Sequence, residues 1–548
     1  GALLNLPFNL ASADPLPVVL YPTQTFRCVD SRLTRGRAFH SATLLPNGMV
    51  FILGGVVADP QDSGSVEVVD GSERLYLTAT AELYDPSNGQ FKTVADQMPN
   101  AALARAFHNA ALINGSKPYQ ILVAGGITTA AGADPHSEVL APNTSLGTGR
   151  LYPIDSTNGG IKDQLAAAAA PADLITLDPD AASIVSHTPQ PAYTSAAFQA
   201  GFAFPGGGLA VADGIDFDQA SLNAPLARQQ LVSQTGAMMP RVGSTGTQRL
   251  GATLSPITAD TALLWGGAPN PADQLGEYIV GLKAGTLMSA MQYATMAAVP
   301  MTQFHTATVL DTDSTGTRVL VAGGFAVEST HLDRQAPSAD QAVHLLNVSS
   351  TGALTQVTPV MPVGGFALDL TCANPMRYRP AGYQSAVLLK RADGNLRVLL
   401  SGGAPSFVTD GAAKTCQDCE AGQADPMCSI GQGAIYSRSS GLQPTDEPMQ
   451  VGRFGHTSTM LVDGNVLIVG GISRPPDGSA PRTVADAEIY NPRATVPPWD
   501  ATNPATALDA DDPQFVDISN LKPVVRAPGG QAIDPTHNNA PVKSCGDF

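Results

Sequence analysis

A short hairpin unit that ends in two glycines recurs along this chain. Its clearest copy is GRFGHTSTMLVDGNVLIVGG, residues 452–471, in which an Asp-Gly turn at Asp463 and Gly464 separates two apolar segments. Glycine accepts a positive φ without steric cost, so this pattern predicts a tight β-hairpin. A lone hairpin cannot bury its apolar face. The unit is therefore expected to repeat and to pack against its own copies.

The chain contains seven copies of the unit. The glycine pairs that close them are Gly54–Gly55, Gly125–Gly126, Gly207–Gly208, Gly266–Gly267, Gly323–Gly324, Gly402–Gly403 and Gly470–Gly471. Near-identical third strands begin at Ala81 and Ala487. Four strands per unit predict an all-β fold, a closed β-propeller of seven four-stranded blades. The copy at Gly207 is degenerate because its second strand, GFAFP, is short and contains a proline, so six blades with an insertion remain an alternative.

The stretches AFHSATLLPNGMVFILGG and GYQSAVLLKRADGNLRVLLSGG resemble Kelch repeats, and most of all the propeller of galactose-oxidase-type proteins. The resemblance implies a Kelch β-propeller over residues 37–492. Residues 1–36 are expected to complete the last blade, because ring closure removes exposed strand edges. The alternative donor is the segment 493–548, which is otherwise expected to be an extended tail packed on the propeller.

The same resemblance implies a copper enzyme, in which two His and two Tyr hold the metal and one Tyr is cross-linked to a Cys. A Tyr-His pair opens the first strand of the active blade in those proteins. The matching pairs here are Phe39-His40, Phe107-His108, Phe304-His305 and Gly455-His456, and the tyrosines at that position, Tyr193 and Tyr383, precede Thr194 and Gln384. Copper needs imidazole donors and the radical needs a phenol. We therefore expect no copper chemistry, no cofactor and no assigned catalytic residue.

Three histidines share one position on the first strand of consecutive units in a closed ring. They are His40, His108 and His456. Their imidazoles could meet near the mouth of the channel and hold zinc or copper. The favoured alternative is hydrogen bonding between blades, because His305 has the same setting without His-bearing neighbours.

One stretch departs from the strand pattern. DQLAAAAAPADL, which begins at Asp163, consists of strong helix formers and is ended by Pro171. It predicts a short helix.

Composition narrows the partners of the chain. The 548 residues are 43% hydrophobic and 14% charged, with a formal net charge of −17. So acidic a chain repels the phosphates of nucleic acid. It also has no apolar run of the length that spans a membrane. The expected partner is another protein or a glycan.

The loops after the glycine pairs are long and polar, and loops on a rigid scaffold commonly carry binding residues. This favours an extracytoplasmic, non-enzymatic interaction or structural module that binds protein or glycan through its loop-rich face. The alternative is a hydrolase, lyase or oxidoreductase with a site in the propeller mouth.

The chain has an even number of cysteines, three of them in the single segment CQDCEAGQADPMC. They are Cys28, Cys372, Cys416, Cys419, Cys428 and Cys545. An even, clustered set favours disulfides and an oxidising compartment, so the protein is expected to be secreted, periplasmic or attached to the cell surface. A zinc site at the CxxC spacing is the alternative.

We expect Cys28 to bond Cys545 and so to join the two ends of the chain, and the other four cysteines to form two bridges on the loop-rich face. A cross-link that closes so long a loop stabilises by about 4 to 5 kcal/mol in the chain-entropy model. Mass spectrometry of non-reduced peptides should find three bridges. Free thiols in the oxidised protein would contradict this assignment.

Overall fold

The computed structural model shows an all-β protein in which every regular element of the described residues is a strand. It describes residues 25–57, 76–96, 103–129, 167–190, 196–203, 208–214, 229–232, 249, 251–258, 260–267, 277–280, 288–292, 302–327, 335–336, 343–360, 381–389, 396–404, 429, 431–473 and 482–492. The predicted tail, 493–548, and most of the long loops lie outside these ranges. A search of the described residues for an apolar helix long enough to cross a membrane finds none.

The hairpin units form seven antiparallel groups of strands, which we call sheets 1 to 7. Sheet 1 consists of Ser41–Leu44, Val50–Leu53, Ala81–Asp85 and Gln90–Asp96. Sheet 2 consists of Asn109–Asn114, Tyr119–Ala124, Asp173–Asp178 and Ser183–Pro189. Sheet 3 has three described strands, Ala200–Ala203, Leu209–Ala212 and Gln229–Val232. Sheet 4 consists of Thr253–Thr258, Thr261–Trp265, Glu277–Val280 and Met288–Gln292.

The remaining sheets follow the same order of strands. Sheet 5 consists of Thr306–Asp313, Gly316–Ala322, Val343–Val348 and Leu354–Pro359. Sheet 6 consists of Ser385–Leu389, Arg397–Ser401, Ala434–Ser437 and Gly441–Pro444. Sheet 7 consists of Thr457–Met460, Val466–Val469, Asp486–Tyr490 and Phe26–Arg32. Short pairings beside the sheets are made by Val56–Val57 with Tyr76–Leu77, Ile127–Thr129 with Ala167–Ala169, Thr302–Gln303 with Phe325–Val327 and Gln335–Ala336, and Ile472–Ser473 with Arg482–Thr483.

Two features tie sheets together at their outer strands. Sheets 1 and 2 are halves of one eight-stranded sheet, because Ala95 and Asp96 pair in parallel with Ser183 and Ile184. In sheet 7 the outermost strand comes from the beginning of the chain: Phe26–Arg32 lies antiparallel to Asp486–Tyr490. Pairing of an early strand with a late one gives sheet 7 its fourth strand and leaves neither segment unpaired.

Main-chain hydrogen bonds join the seven sheets in a closed circle. The second residue of each closing pair donates its N–H to a main-chain carbonyl in the segment just before the first strand of the next sheet. The bonds run from Gly55 to Arg105, Gly126 to Ala196, Gly214 to Arg249, Gly267 to Thr302, Gly324 to Ala381, Gly403 to Arg453 and Gly471 to Arg37, at 2.8–3.2 Å. The first strands of the sheets also contact one another in this circular order. The last bond links sheet 7 back to sheet 1.

These close approaches explain why glycine closes the hairpins. A Cβ at Gly54 would lie 2.5 Å from the carbonyl oxygen of Arg105, and a Cβ at Gly470 would lie 2.3 Å from that of Arg37. Both glycines have φ of +68°. A larger residue would meet both the steric and the conformational constraint.

The third unit corrects the sequence interpretation. Its closing pair is not Gly207–Gly208 but Asp213–Gly214, because Gly208 precedes the second strand, Leu209–Ala212, instead of following it. Asp213 has the left-handed φ of 58° and Gly214 makes the bond to the next sheet. Gly208 therefore lies before the second strand and does not close the hairpin.

The alanine-rich stretch is likewise not a helix where it is described. Ala167–Ala169 forms a strand antiparallel to Ile127–Thr129. Its partner strand supplies the hydrogen bonds that a helix would have made internally, so tertiary pairing overrides the helix propensity of alanine.

In several sheets a buried arginine, which lies just before the first strand, bonds to groups on other strands of the same sheet. Arg453 is fully buried, and its guanidinium donates to the carboxylate of Glu488 at 2.6 Å and to the carbonyl of Gly470 at 3.0 Å. Arg37 bonds Glu82 and Gly54 in the same way. Arg105 pairs with Asp173. The arginine thus satisfies the carbonyl of the first glycine of the pair.

Removal of one partner of such a pair should be costly. We expect Glu488→Gln to lower the free energy of unfolding by about 3 to 5 kcal/mol, because it leaves the Arg453 guanidinium buried without its counter-charge. Urea unfolding of the oxidised protein measures the change. The control is Asp180→Asn, which removes the exposed ion pair with Lys117 and should have no measurable effect. Equal stability of the two variants would contradict the role given to the buried pair.

Candidate functional site

The first strands begin with seven equivalent residues in the left-handed conformation. They are Phe39, Phe107, Phe198, Gly251, Phe304, Tyr383 and Gly455, with φ between 54° and 67°. Main-chain bonds link neighbours in this series: Phe39 donates to Gly455, Phe107 to Phe39 and Tyr383 to Phe304. A left-handed backbone costs a non-glycine residue about 1 to 3 kcal/mol. Contacts of the aromatic side chains at this position therefore have to offset that conformational cost.

That contact is a cluster of five aromatic rings, the aromatic plug, where the series of first strands converges. Its members are Phe39, Phe107, Phe198, Phe304 and Tyr383. Centroid distances are 4.1 Å for Phe39 and Phe107, 4.6 Å for Phe304 and Tyr383, and 5.2 Å for Phe39 and Tyr383. Such pairs contribute about 0.5 to 1.5 kcal/mol beyond area burial. The plug fills the centre of the circle of sheets.

At five of the seven equivalent positions, the residue that follows the left-handed residue joins neighbouring sheets through its side chain. Nε2 of His40 lies 2.9 Å from Oγ1 of Thr457, and Nε2 of His108 lies 2.8 Å from Oγ of Ser41. Nε2 of His305 lies 2.8 Å from Oγ1 of Thr253, and Nε2 of Gln384 donates to the Ala322 carbonyl at 2.8 Å. His456 reaches Ser401 at 3.3 Å. Each bond crosses to the preceding sheet.

A pocket of about 250 Å³ lies beside the plug, between sheets 2 to 6. Its aromatic lining residues are Phe107, Phe198, Phe304 and Tyr383. Its polar lining residues are His108, Asn109, Gln199, His305 and Gln384. Gly251 and Ala252 of sheet 4 complete the wall. No lining residue is an Asp, Glu, Lys or Arg.

The imidazoles at this level are neutral at physiological pH. Burial lowers the pKa of His108 and of His456 to about 3, with the nearby Arg105 and Arg453 acting in the same direction. Burial lowers the pKa of His305 to about 4. Burial, followed by Arg37 and the neighbouring histidines, places the pKa of His40 well below its ordinary value. The pocket therefore offers hydrogen bonds without net charge.

The contacts of His305 determine its tautomer. Its Nδ1 lies 2.9 Å from the carbonyl oxygen of Thr302, which can only accept, so Nδ1 carries the proton. Nε2 of the neutral ring then accepts from the hydroxyl of Thr253. A hydroxyl bonded to an oriented imidazole is a unit that can transfer a proton.

The structure distributes the three candidate metal ligands instead of bringing them to one point. Nε2 of His40, His108 and His456 each faces a different hydroxyl, on Thr457, Ser41 and Ser401. Within the described ranges no three His, Cys, Asp or Glu side chains are placed to hold a metal ion. Inter-sheet bonding is the role that these contacts assign to them.

A copper site of the kind implied by the galactose-oxidase resemblance does not fit the described residues. Every imidazole at the first-strand position already faces a hydroxyl of the neighbouring sheet. The one tyrosine at the plug position, Tyr383, is followed by Gln384.

Cys28 is disulfide-bonded, on the strand that completes sheet 7. Its predicted partner, Cys545, and the other candidates Cys372, Cys416, Cys419 and Cys428 lie outside the described residues. The pairing stays a prediction.

Sequence reasoning missed the pocket residues of sheets 3 and 4. It placed Tyr193 and Thr194 at the plug position, whereas Phe198 and Gln199 have the left-handed φ and the pocket position there. Gly251 and Ala252 were not considered. A usable signal was present, because Arg249 stands three residues before Ala252, as Arg37 does before His40.

Comparison with known proteins yields a fold relationship. No protein-family model matches the sequence, and no curated protein is similar to it. One solved structure that it resembles is a novel fungal alcohol oxidase with catalytic diversity among the AA5 family, in complex with copper. The TM-score is 0.49 with 13% identity, over 84% of this chain and 75% of that chain. At this identity the likeness concerns the fold.

The comparison corrects the functional expectation. The expectation of a non-enzymatic interaction or structural module does not agree with this finding, because the solved structure is that of an oxidase. A likeness of this degree assigns no activity to this chain, so the enzyme alternative has to be proposed from the chain's own residues.

The buried histidines should make stability depend on pH. Their folded pKa values lie below the unfolded value, so the unfolded state binds more protons as the pH falls from about 6.5 towards 3. Each then lowers the free energy of unfolding by about 2 kcal/mol between pH 7.5 and 5.0. His456→Gln should remove one such contribution, seen as a shallower loss of stability than wild type in urea unfolding. Parallel profiles would contradict a neutral, buried His456.

Proposed function

We propose that sheets 1 to 7 are the blades of one Kelch-type β-propeller. The closed circle of seven main-chain bonds supports this, as does a strand from the beginning of the chain in the last sheet. Under this proposal the plug lies on the propeller axis and the pocket is part of the propeller mouth.

We propose further that the chain is an enzyme whose substrate binds in this pocket, and that the substrate is a small neutral molecule with several hydroxyl groups, such as a sugar or another polyol. The observation that carries the proposal is the composition of the pocket wall. The aromatic rings of the lining suit the C–H face of such a molecule, and its imidazole and amide groups suit the hydroxyls. The volume, about 250 Å³, is below that of sites for drug-sized ligands.

The residues take distinct roles in this proposal. Phe198 and Phe304 pack on the apolar face of the substrate. Gln199 and Gln384 orient its hydroxyls. The Thr253 and His305 pair is the candidate group for proton transfer, because Thr302 fixes the imidazole so that Nε2 can accept a proton. General acid–base catalysis at a substrate hydroxyl uses such a transfer.

The location follows the cysteine argument. A disulfide at Cys28 suits an extracytoplasmic protein, since thiols stay reduced in a cytosol. We place the enzyme in the secreted, periplasmic or cell-surface environment on that ground.

Calorimetric titration of the oxidised, full-length chain tests the substrate class. The probes are glycerol, D-glucose and myo-inositol, with D-gluconate and D-glucosamine as charged counterparts. We expect at least one neutral probe to bind and the charged ones to bind at least about 10-fold more weakly, because the pocket offers no counter-charge. Absence of binding to all neutral probes, or equal binding of charged ones, would sink the proposal.

The role of His305 is tested by its replacement with glutamine, which stands at the equivalent positions 199 and 384. Conversion of the bound probe is followed by NMR. His305→Gln should lower kcat at least about 100-fold if the imidazole transfers the proton. The control, His456→Gln, changes the same position in a sheet that does not line the pocket and should convert the probe like wild type. Equal rates for both variants would exclude His305 as the proton-transfer group.

A further inference from the structure

The contact between sheets 3 and 4 is built differently from the other contacts between sheets. At five of the other contacts an imidazole or amide packs on the first glycine of the preceding pair. A Cβ at Gly54, Gly266, Gly402 or Gly470 would lie 2.4–3.2 Å from Cε1 of the histidine of the next sheet. At Gly323 it would lie 2.8 Å from Nε2 of Gln384. Glycine and the long polar side chain therefore require each other.

Between sheets 3 and 4 both the glycine and the long polar side chain are replaced by other residues. Ala252 stands where the imidazole stands in four other sheets, and Asp213 stands where the glycine stands. No imidazole lies above this position, and its main-chain bond to the next sheet, Gly214 to Arg249 at 3.2 Å, is the longest of the seven, so the position holds a residue with a Cβ. The Asp213 carboxylate is turned towards Arg249, with Oδ2 at 3.8 Å from Nε, and does not line the pocket. The facing residue on sheet 3, Ala200, also ends in a methyl group.

The exchange leaves space on the pocket side. The wall at sheet 4 consists of Gly251, which has no ring, and Ala252, which has one carbon beyond Cα. The pocket reaches sheets 2 to 6 and does not include the imidazoles of His40 and His456, which are filled positions. At sheet 4 the pocket is thus lined by Gly251 and Ala252, where the inter-sheet side chain is missing.

We infer that Ala252 is the specificity-determining residue of the pocket: it admits the bulk of a six-membered polyol ring into the space that an imidazole fills in the other sheets. The inference rests on the proposed function, since it takes the same pocket as the substrate site. It goes beyond the proposed function because it attributes the size limit on the substrate to a single residue.

Ala252→Val tests the inference, because it adds two methyl groups at the start of a strand, where β-branched residues are accepted. Titration with myo-inositol and glycerol gives the readout. We expect the affinity for myo-inositol to fall at least about 10-fold, the scale of one or two methyl groups in a pocket, while that for glycerol stays within about 2-fold. His456→Gln should bind both probes like wild type.

The outcomes separate the two claims. If wild type binds myo-inositol and Ala252→Val binds it equally well, or loses both probes to the same degree, the inference is wrong and the proposed function stands. If wild type binds neither probe nor D-glucose, the proposed function fails and the inference with it. Should a lowered melting temperature show that the valine variant is misfolded, Ala252→Ser replaces it, with the same order of effects and about a 3-fold loss for myo-inositol.

Discussion

The circle of hydrogen bonds from the closing pairs to the next sheet is the constraint on which the rest of the structure depends. Each bond requires the main chains of two sheets to approach so closely that no Cβ fits at Gly54 or Gly470. The left-handed turn after the second strand then follows, because glycine adopts it freely. A buried arginine such as Arg453 satisfies the carbonyl left at the turn and carries its own carboxylate partner. Removal of the glycine, the arginine or the carboxylate would therefore leave one of the other groups in a steric clash or without its hydrogen-bond or charge partner.

The same geometry explains why most histidines here are structural and where a ligand could nevertheless bind. His40, His108 and His456 lie over the close glycine contacts, and their Nε2 atoms reach hydroxyls of the preceding sheet. These contacts engage one nitrogen of each ring, and burial keeps the rings neutral by lowering their pKa. Under the proposed function, the ligand binds where this joining is incomplete, at Ala252 of sheet 4. Substrate selection would then depend on a contact that departs from the repeat.

The sequence predicted the hairpins well because their signal is local: alternating apolar strands, a turn and two glycines occupy about twenty adjacent residues, as in 452–471. It failed at the third unit because a glycine-rich connection before Leu209 imitates the closing pair, while the true pair contains Asp213, which tolerates the left-handed backbone. The alanine run from 167 was misread since pairing with Ile127–Thr129 decides its conformation. The pocket could not be predicted, because it combines side chains of five sheets distant in sequence.

A crystal structure of the oxidised chain tests the central claim most directly, through the number of sheets in the circle. The account predicts seven, with the amide of Gly214 bonded to the carbonyl of Arg249 and Asp213 in the left-handed conformation. Six sheets in the circle, with residues 196–214 outside it and sheet 2 bonded directly to sheet 4, would contradict the account.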